Sequence, residues 1–237
     1  LPDDHAVLPE WSCGASPELD RAIDDLVIYV NLSEIDGPGG ILGGAGVCFL
    51  HDVGLLPAIG QMTLDGADVD AMESQGLFET VVLHELGHAL GFGTLWTPRE
   101  LLAEPSLEGG LDPHFTGVEA LAAFDAIGGF SYAGAKVPVE DQGGAGTADG
   151  HWRESVFNTE SMTGYVNAGP NPLSRLSIAA MQDLGYAVNL EQSDAYSLLR
   201  ALRDGDAPIA LGLGNDRLPG PIKIINRRGK VVGTYRK

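Results

Sequence analysis

The segment VVLHELGHALGFGTLW, at Val81–Trp96, is the feature that most constrains how this chain folds. On an α-helix, positions i and i+4 lie one turn apart on the same face, so His84 and His88 can direct their imidazoles at one point. Gly91 follows at a position where glycine can end a helix in the left-handed conformation at low cost. The segment therefore predicts a helix that carries both histidines on one face and stops at Gly91.

This spacing is that of a metal site. Glu85 is rotated by about 100° around the helix axis, so it stays near an ion bound by His84 and His88 without ligating it and can handle a water proton. The alternative is a helix with two histidines satisfied by other hydrogen bonds. In one group of zinc enzymes a third histidine follows the glycine by three residues. Thr94 stands there in this chain, and a hydroxyl is a poor zinc ligand.

Composition narrows the functional classes. The formal net charge of −19 opposes binding to nucleic acids, whose phosphates are also negative. The sequence contains no uninterrupted run of 18 apolar residues, so it predicts no membrane-spanning helix. We expect any signal peptide to have been removed or never present, since the chain starts at Leu1 without a basic and then apolar leader.

The acidic surface leaves room for Ca²⁺. The stretch Asp65–Asp70 begins like a calcium loop, but Gly76 stands where an EF-hand needs glutamate, so an ordinary acidic turn is the alternative.

Two cysteines, Cys13 and Cys48, leave three possibilities. A disulfide between them would be natural in a secreted protein. Cys48 with His51 could instead form a nucleophile and its base, or both thiols could be buried and free.

Local patterns predict the following elements. A strand at Asp24–Leu32 follows a short helical pattern at Pro17–Ile23. The glycine-rich stretch Asp36–Gly46 is expected to be a loop, since it matches no nucleotide-binding motif. A second strand is predicted at Ala58–Asp65, and the histidine-bearing helix is expected to begin near residues 73 or 74.

The second half of the chain is more irregular. Residues 97–150 contain one short helical piece, GVEALAAFDAIGG, and Pro172–Tyr186 is predicted as a helix capped by Ser174. A last helix is expected to begin at Ser193. The basic tail predicts a β-hairpin that turns at Asn226–Gly229.

Four further histidines are candidates for the missing ligand. His5 and His51 are expected in surface or loop positions, and His114 lies in a proline-flanked turn. His151 lies in DGHWRESVFNTESMTGY, which resembles the leishmanolysin family of metzincin proteases. In that family an insertion separates the glycine from the third histidine, and a methionine-containing turn follows. Here 62 residues separate His88 from His151.

The resemblance extends to GGAGVC and PAIGQMTLD upstream and to LSIAAMQDLGY downstream, and it covers roughly residues 24–190. It implies that His84, His88 and His151 bind one catalytic zinc ion and that Glu85 is the catalytic base. Met162 would form a hydrophobic floor beneath the histidines; core filling is its alternative role.

The resemblance also bears on substrate binding. The strand around Gly60 and Leu64 resembles the metzincin edge strand, along which an extended substrate pairs. Tyr165 lies three residues beyond the methionine, where some metzincins have a tyrosine two beyond, so it is either structural or a substrate contact. In a thermolysin-like arrangement, Glu119 on a later helix would replace His151 as third ligand.

The implied fold is α+β and metzincin-like. An upper part, residues 1–91, would hold a twisted mixed sheet and the active-site helix. An irregular, mainly helical lower part, residues 92–190, would hold the insertion, the third ligand and the methionine turn. Residues 191–237 would form a helix and a basic hairpin of unknown role.

The function implied is that of a secreted or extracellular, bacterial-type zinc endopeptidase, a monomer acting on peptides or proteins. One alternative is a binding or adhesion module with a structural zinc site, which would have no need of Glu85 and would fill its fourth position with protein. A zinc hydrolase acting on a non-peptide amide is the other.

Overall fold

A computed structural model describes residues 4–132, 136–198, 209–218 and 220–235 of this α+β chain. The strands are β1 (Asp4–Leu8), β2 (Leu19–Ile23), β3 (Val27–Ser33), β4 (Gly43–His51), β5 (Pro57–Asp65), β6 (Leu102–Ala103), β7 (His114–Phe115), β8 (Val137–Pro138), β9 (Tyr165–Asn167), β10 (Ile209–Gly212), β11 (Ile222–Ile225) and β12 (Val231–Tyr235). The helices are α1 (Val69–Gln75), α2 (Phe78–Ala89), α3 (Val118–Ala126), α4 (Glu154–Phe157) and α5 (Arg175–Asp183).

The principal sheet has five strands in the order β12–β11–β4–β5–β3 and is mixed. β4 pairs with β5 antiparallel, whereas β3 pairs with β5 and β11 with β4 in parallel. β5 is therefore hydrogen-bonded on both sides. The edge position that the family resemblance implied for the strand around Gly60 and Leu64 is wrong, because β5 pairs with β3 on one side and with β4 on the other.

The central strands β4 and β5 are buried along most of their length because both faces of the sheet are covered. On one face α2 packs against the sheet. A Cβ at Gly60 would lie 3.3 Å from the carbonyl oxygen of Ala89, so the glycine allows the helix to approach β5 closely. On the other face, β1 and β2 form an antiparallel pair over a separate apolar cluster.

Several predicted boundaries need correction. Pro17–Ile23 is not helical, since its second part is β2, and pairing with β1 satisfies its backbone. The predicted helix start near residue 73 is also wrong. α1 ends at Gly76, whose φ is +69°, and α2 begins afresh at Phe78. The glycine-rich loop ends at Leu42, because its last residues already belong to β4.

Other elements agree with the sequence prediction. β3, β5, α3 and α5 lie where strands and helices were expected, and Ser174 is the N-cap of α5. α2 ends at Ala89, and Gly91 beyond it has a φ of +110°. The basic hairpin is confirmed as β11 and β12. The helix predicted from Ser193 does not begin there, because residues 194–197 are not helical and Ser193 follows a short 3-10 turn at Leu190–Gln192. The rest of the predicted segment lies mainly outside the described residues.

An aromatic core supports the lower part of the molecule. The fully buried ring of Trp152 packs within 6 Å of four other aromatic rings, at centroid distances between 5.0 and 5.9 Å; these are Phe92, Trp96, Phe115 and Phe157. Because Trp152 follows His151 directly, this core fixes the backbone at that histidine. The division into residues 1–91, 92–190 and 191–237 stays a prediction.

The disulfide Cys13–Cys48 is confirmed, and it ties the segment after β1 to the central strand β4. It excludes Cys48 as a nucleophile. Across the described ranges, no helix combines the length and the apolar character that crossing a bilayer requires.

Candidate metal centre

Three histidines converge at the centre of the molecule. The Nε2 atoms of His84 and His88 are 3.0 Å apart, and the Nε2 of His151 lies 3.2 Å and 2.9 Å from them. All three side chains are 0% exposed. The helical spacing brings the first two together, as expected, and the insertion brings the third from 63 residues away.

Hydrogen bonds on the far side of each ring fix its orientation. Nδ1 of His84 donates to the carbonyl of Ser161 at 2.7 Å, Nδ1 of His88 to Phe92 at 2.9 Å, and Nδ1 of His151 to Thr147 at 2.7 Å. Since each Nδ1 carries the proton, each Nε2 presents a lone pair to the centre.

This donor set fits zinc. Tetrahedral coordination with Zn–N bonds near 2.0–2.1 Å puts ligand atoms about 3.3 Å apart, close to the separations seen here. Burial lowers the pKa of His88 well below its usual range, and the imidazoles of His151 and His84 lower it further. The lowered pKa favours the neutral form of the His88 ring, which is the form that binds a metal ion. Three lone pairs facing one another would repel without a cation between them.

The loop after α2 positions the third histidine. Thr94 occupies the position at which other zinc enzymes have their third histidine. Here its hydroxyl donates a hydrogen bond to the carbonyl of His88 at 3.1 Å. Gly93, with a φ of +67°, lies against the backbone of Gly150, and a Cβ there would stand 2.1 Å from the Gly150 carbonyl oxygen. This close backbone contact sets the position of His151.

Met162 packs against α2, and its role as a floor beneath the histidines stays a prediction. A Cβ at Gly87, inside the HELGH sequence, would lie 2.7 Å from the Met162 methyl carbon. The backbone of the methionine turn is held by Glu160, whose buried carboxylate accepts the Met162 amide at 2.6 Å. Its other oxygen accepts three hydrogen bonds, from the Ser174 amide and from the hydroxyls of Ser174 and Ser177.

Glu85 lies beside the histidines in a buried position. Its side chain is 0% exposed, and neither carboxylate oxygen has a hydrogen-bond partner among the residues that the structure describes. Burial raises the pKa of Glu85 well above its usual range, and the charge of Asp216 raises it further. A buried carboxylate of this kind, next to a metal centre, is a candidate for proton transfer.

Asp216 is a member of the centre that the sequence analysis missed. Its Oδ2 lies 3.1 Å from Nε2 of His84 and 3.2 Å from Nε2 of His151, and the side chain is fully buried. Burial raises the pKa of Asp216, whereas the positive charge and hydrogen bonds that His151 and His84 supply when protonated lower it to well below its usual range. The sequence contains one feature that singles out Asp216, which is the single acidic residue in the basic stretch that follows Asn215.

Within the described chain, the group of residues able to share one ion is His84, His88, His151 and Asp216. Glu119 is not part of it and lies at the start of α3, where its amide donates to Asp183. The remaining histidines have other contacts: His5 with the Asp20 carboxylate and His114 with the Asp112 carbonyl. The expected surface or loop position of His51 is wrong, because His51 is buried at the end of β4, where its Nε2 contacts the Asp25 carbonyl.

The predicted substrate contacts are separated by the fold. Gly60 and the buried Leu64 lie on the internal strand β5, behind α2. Tyr165 is half-buried on β9, next to Gly212 of β10. In the Asp65–Asp70 stretch, Asp65 and Asp68 accept hydrogen bonds from backbone amides, and a calcium ion there stays a prediction.

Sequence comparisons agree with this arrangement. A family model described as leishmanolysin matches residues 20–109 and 120–199. Leishmanolysin from Leishmania donovani is 30% identical over 170 residues, which are 68% of this chain and 27% of that protein. Leishmanolysin from Leishmania major is 32% identical over 167 residues, 68% of this chain and 26% of the relative. A leishmanolysin-like peptidase from Drosophila melanogaster is 44% identical over 48 residues, 20% of this chain and 7% of its own length. The chain thus spans about a quarter of the Leishmania proteins, and Asp216 lies outside the residues that the family model matches.

Proposed function

Because the chain belongs to the leishmanolysin family, we propose that it is a zinc-dependent endopeptidase that hydrolyses peptide bonds with Glu85 as general base. The observation that carries the proposal is the convergence of three oriented imidazoles beside a buried carboxylate without a protein partner among the described residues. His84, His88 and His151 would hold the ion. When bound, zinc acts as a Lewis acid and lowers the pKa of a water molecule to about 7.

The protein's own groups supply the proton chemistry. Glu85 takes a proton from the attacking water and passes it to the departing amine. Its burial favours this role, since a carboxylate whose pKa is raised is a stronger base near neutral pH. The three backbone carbonyls that accept the Nδ1 protons keep the imidazoles oriented, and Glu160 holds the methionine turn beneath them.

We place the substrate along the first half of β4 rather than along β5. A Cβ at Gly43 would lie 3.5 Å from Cγ of Glu85, so this end of β4 borders the catalytic glutamate. An extended polypeptide that pairs with β4 would present its main chain to the metal centre. Tyr165 lies on β9, outside the principal sheet, and we retain it as a proposed substrate contact.

A secreted or extracellular location fits the disulfide Cys13–Cys48, since such bonds persist in oxidising compartments. We propose peptides or proteins as the substrates and a monomer as the working form.

Asp216 favours one second candidate, a non-catalytic module with a structural zinc site. Structural sites fill all four positions with protein ligands, and Asp216 supplies a fourth group here. A structural site gains nothing from Glu85, however, and burying an unpaired carboxylate beside it is unfavourable.

The test is hydrolysis of a mixed set of quenched fluorescent peptides by zinc-loaded protein. Because Asp216 lies at the metal centre, the assay is run both in the parent chain and in the Asp216→Asn background. Glu85→Gln should lower the rate by about 10²- to 10⁴-fold at equal bound zinc. Glu79→Gln, an exposed glutamate on the same helix, is the matched control and should leave the rate unchanged.

Two results would decide against the peptidase. Folded, zinc-loaded Asp216→Asn protein that cleaves nothing would favour the structural site. Equal cleavage by Glu85→Gln and its parent would remove Glu85 from the mechanism.

A further inference from the structure

The segment 213–218 crosses the metal centre and pairs with β4 where we place the substrate. We propose that this segment is a built-in inhibitor, in which Asp216 takes the fourth ligand position of the metal and keeps the enzyme latent. The inference rests on the proposed peptidase function and concerns the regulation of that same site.

The segment is held on both sides of the cleft. On the β4 side, the Ala45 amide donates to the Asp216 carbonyl at 2.7 Å, and the Leu218 amide donates to the Ala45 carbonyl at 2.9 Å. On the other side, the Leu213 amide donates to the carbonyl of Gly164 at 3.2 Å, just after the methionine turn. A chain bound in this way occupies the space that a substrate's main chain would need.

Arg217 anchors the segment next to the metal ligand. Its guanidinium is almost completely buried and donates to four backbone carbonyls at 3.0–3.2 Å: Gly93, Ala145, Ala148 and Asp149. These carbonyls belong to the loop after α2 and to the residues that precede His151. The anchor is thus built by the two segments that position the third histidine.

The glycine-rich start of β4 fits this close pairing. A Cβ at Gly44 would lie 2.8 Å from the Asp216 carbonyl oxygen, and a Cβ at Gly46 would lie 3.2 Å from the carbonyl oxygen of Leu218. Larger residues here would push a pairing chain away from the strand. The glycines of the sequence GGAG therefore create a backbone-to-backbone docking site beside the metal centre.

The segment is also not oriented for cleavage at Asp216. The Asp216 carbonyl accepts the Ala45 amide, whereas the Asp216 side chain faces the histidines. A carboxylate, and not a peptide carbonyl, is therefore presented to the metal. At the isolated β-bridge between Ala45 and Arg217, the segment runs parallel to β4, which fixes the direction in which it crosses the centre.

Two substitutions weaken the segment independently. Asp216→Asn keeps the shape of the side chain and removes its charge. Arg217→Met keeps much of the aliphatic volume, removes the four hydrogen bonds and leaves Asp216 in place. Hydrogen bonds to charged groups are worth roughly 10- to 100-fold in an equilibrium constant, so each variant should populate the released segment more by that factor. Asp20→Asn, which alters a carboxylate 65% exposed on β2, is the matched control.

The experiment measures three quantities on the zinc-loaded chain of residues 1–237. The first is amide hydrogen exchange in peptides covering residues 43–47 and 213–218, and the second is the affinity for acetohydroxamate, a small metal ligand. The third is cleavage of the quenched peptides. We expect exchange, acetohydroxamate affinity and cleavage rate to rise about 10- to 100-fold in both variants and to stay at the parent values in Asp20→Asn.

The outcomes separate the two proposals. Unchanged exchange and acetohydroxamate affinity in both folded variants would overturn the inhibitory role, and Glu85-dependent cleavage at the parent rate would leave the peptidase proposal standing. A released segment without Glu85-dependent cleavage in any variant would overturn the peptidase function, and the inhibitory role with it.

Discussion

The contact between Gly93 and Gly150 provides a sharp test of how the metal centre is assembled. Gly93→Ala adds a Cβ at a φ of +67° and places it 2.1 Å from the Gly150 carbonyl oxygen and 2.8 Å from its carbonyl carbon. Both neighbours are backbone atoms, so no side chain can turn away to make room. Relief requires Gly150 to move, and the next residue is His151.

A matched control isolates this clash from backbone strain. Gly76 has almost the same φ, +69°, and a Cβ there would meet no atom within 4 Å. The left-handed conformation costs a residue with a Cβ about 1–2 kcal/mol, so both alanine variants lose that much stability. Overpacking adds about 1–3 kcal/mol at Gly93 alone, for a total of roughly 2–5 kcal/mol.

Thermal unfolding and zinc binding measure the two consequences. In a domain of this size each kcal/mol lowers Tm by about 2–4 °C, so Gly93→Ala should fall by roughly 4–20 °C and Gly76→Ala by roughly 2–8 °C. Zinc affinity, measured by competition with a chelator, should fall about 10- to 100-fold in Gly93→Ala only. Losses of this size are typical when a contact that orients a metal-binding side chain is removed. Equal effects of the two substitutions on Tm and zinc affinity would refute the reasoning.

Three further predictions concern the supports of the fold. Glu160→Gln turns one acceptor into a donor among four hydrogen-bond donors, which should cost about 1–3 kcal/mol in urea unfolding; an unchanged midpoint would contradict the role of Glu160. Replacing Cys13 and Cys48 by serine opens a link across 35 positions and should cost about 3–4 kcal/mol in guanidinium unfolding, whereas a loss below 1 kcal/mol would count against it. The hydrogen bond from Lys136 lowers the pKa of Asp112. Its contribution, about 1 kcal/mol at most, is therefore present above the unfolded pKa of about 3.9 and lost as pH falls through the folded pKa. Unfolding of Asp112→Asn from pH 3 to 7 checks this, because a pH-independent difference from the parent would disprove it.

The sequence by itself determined the features that depend on neighbouring residues. The spacing of His84 and His88 follows from the helical repeat, and Gly91 predicted the end of that helix. The β5 strand and the tail hairpin likewise follow from local patterns. His151 and Met162 were recognised only through a family resemblance, because nothing in the intervening 62 residues indicates how the insertion folds back.

Local patterns failed where a distant partner decided the conformation. The pattern at Pro17–Ile23 suggested a helix, but the second part of that segment is a strand, because β1 supplies its hydrogen bonds. The family resemblance implied an edge position for β5, yet β5 lies inside the sheet because β3 pairs with its other side. Propensity is a weak influence, and tertiary pairing overrides it.

The tertiary structure alone decided the composition of the centre. Asp216 reaches His84 from 132 residues away, and only the course of the chain through β9, β10 and the cleft brings it there. The contact between Gly93 and Gly150 and the bonds of Arg217 also join segments that are distant in sequence. Such contacts have no local signature, because the hydrogen bonds that fix them belong to groups whose proximity arises only when the chain has folded.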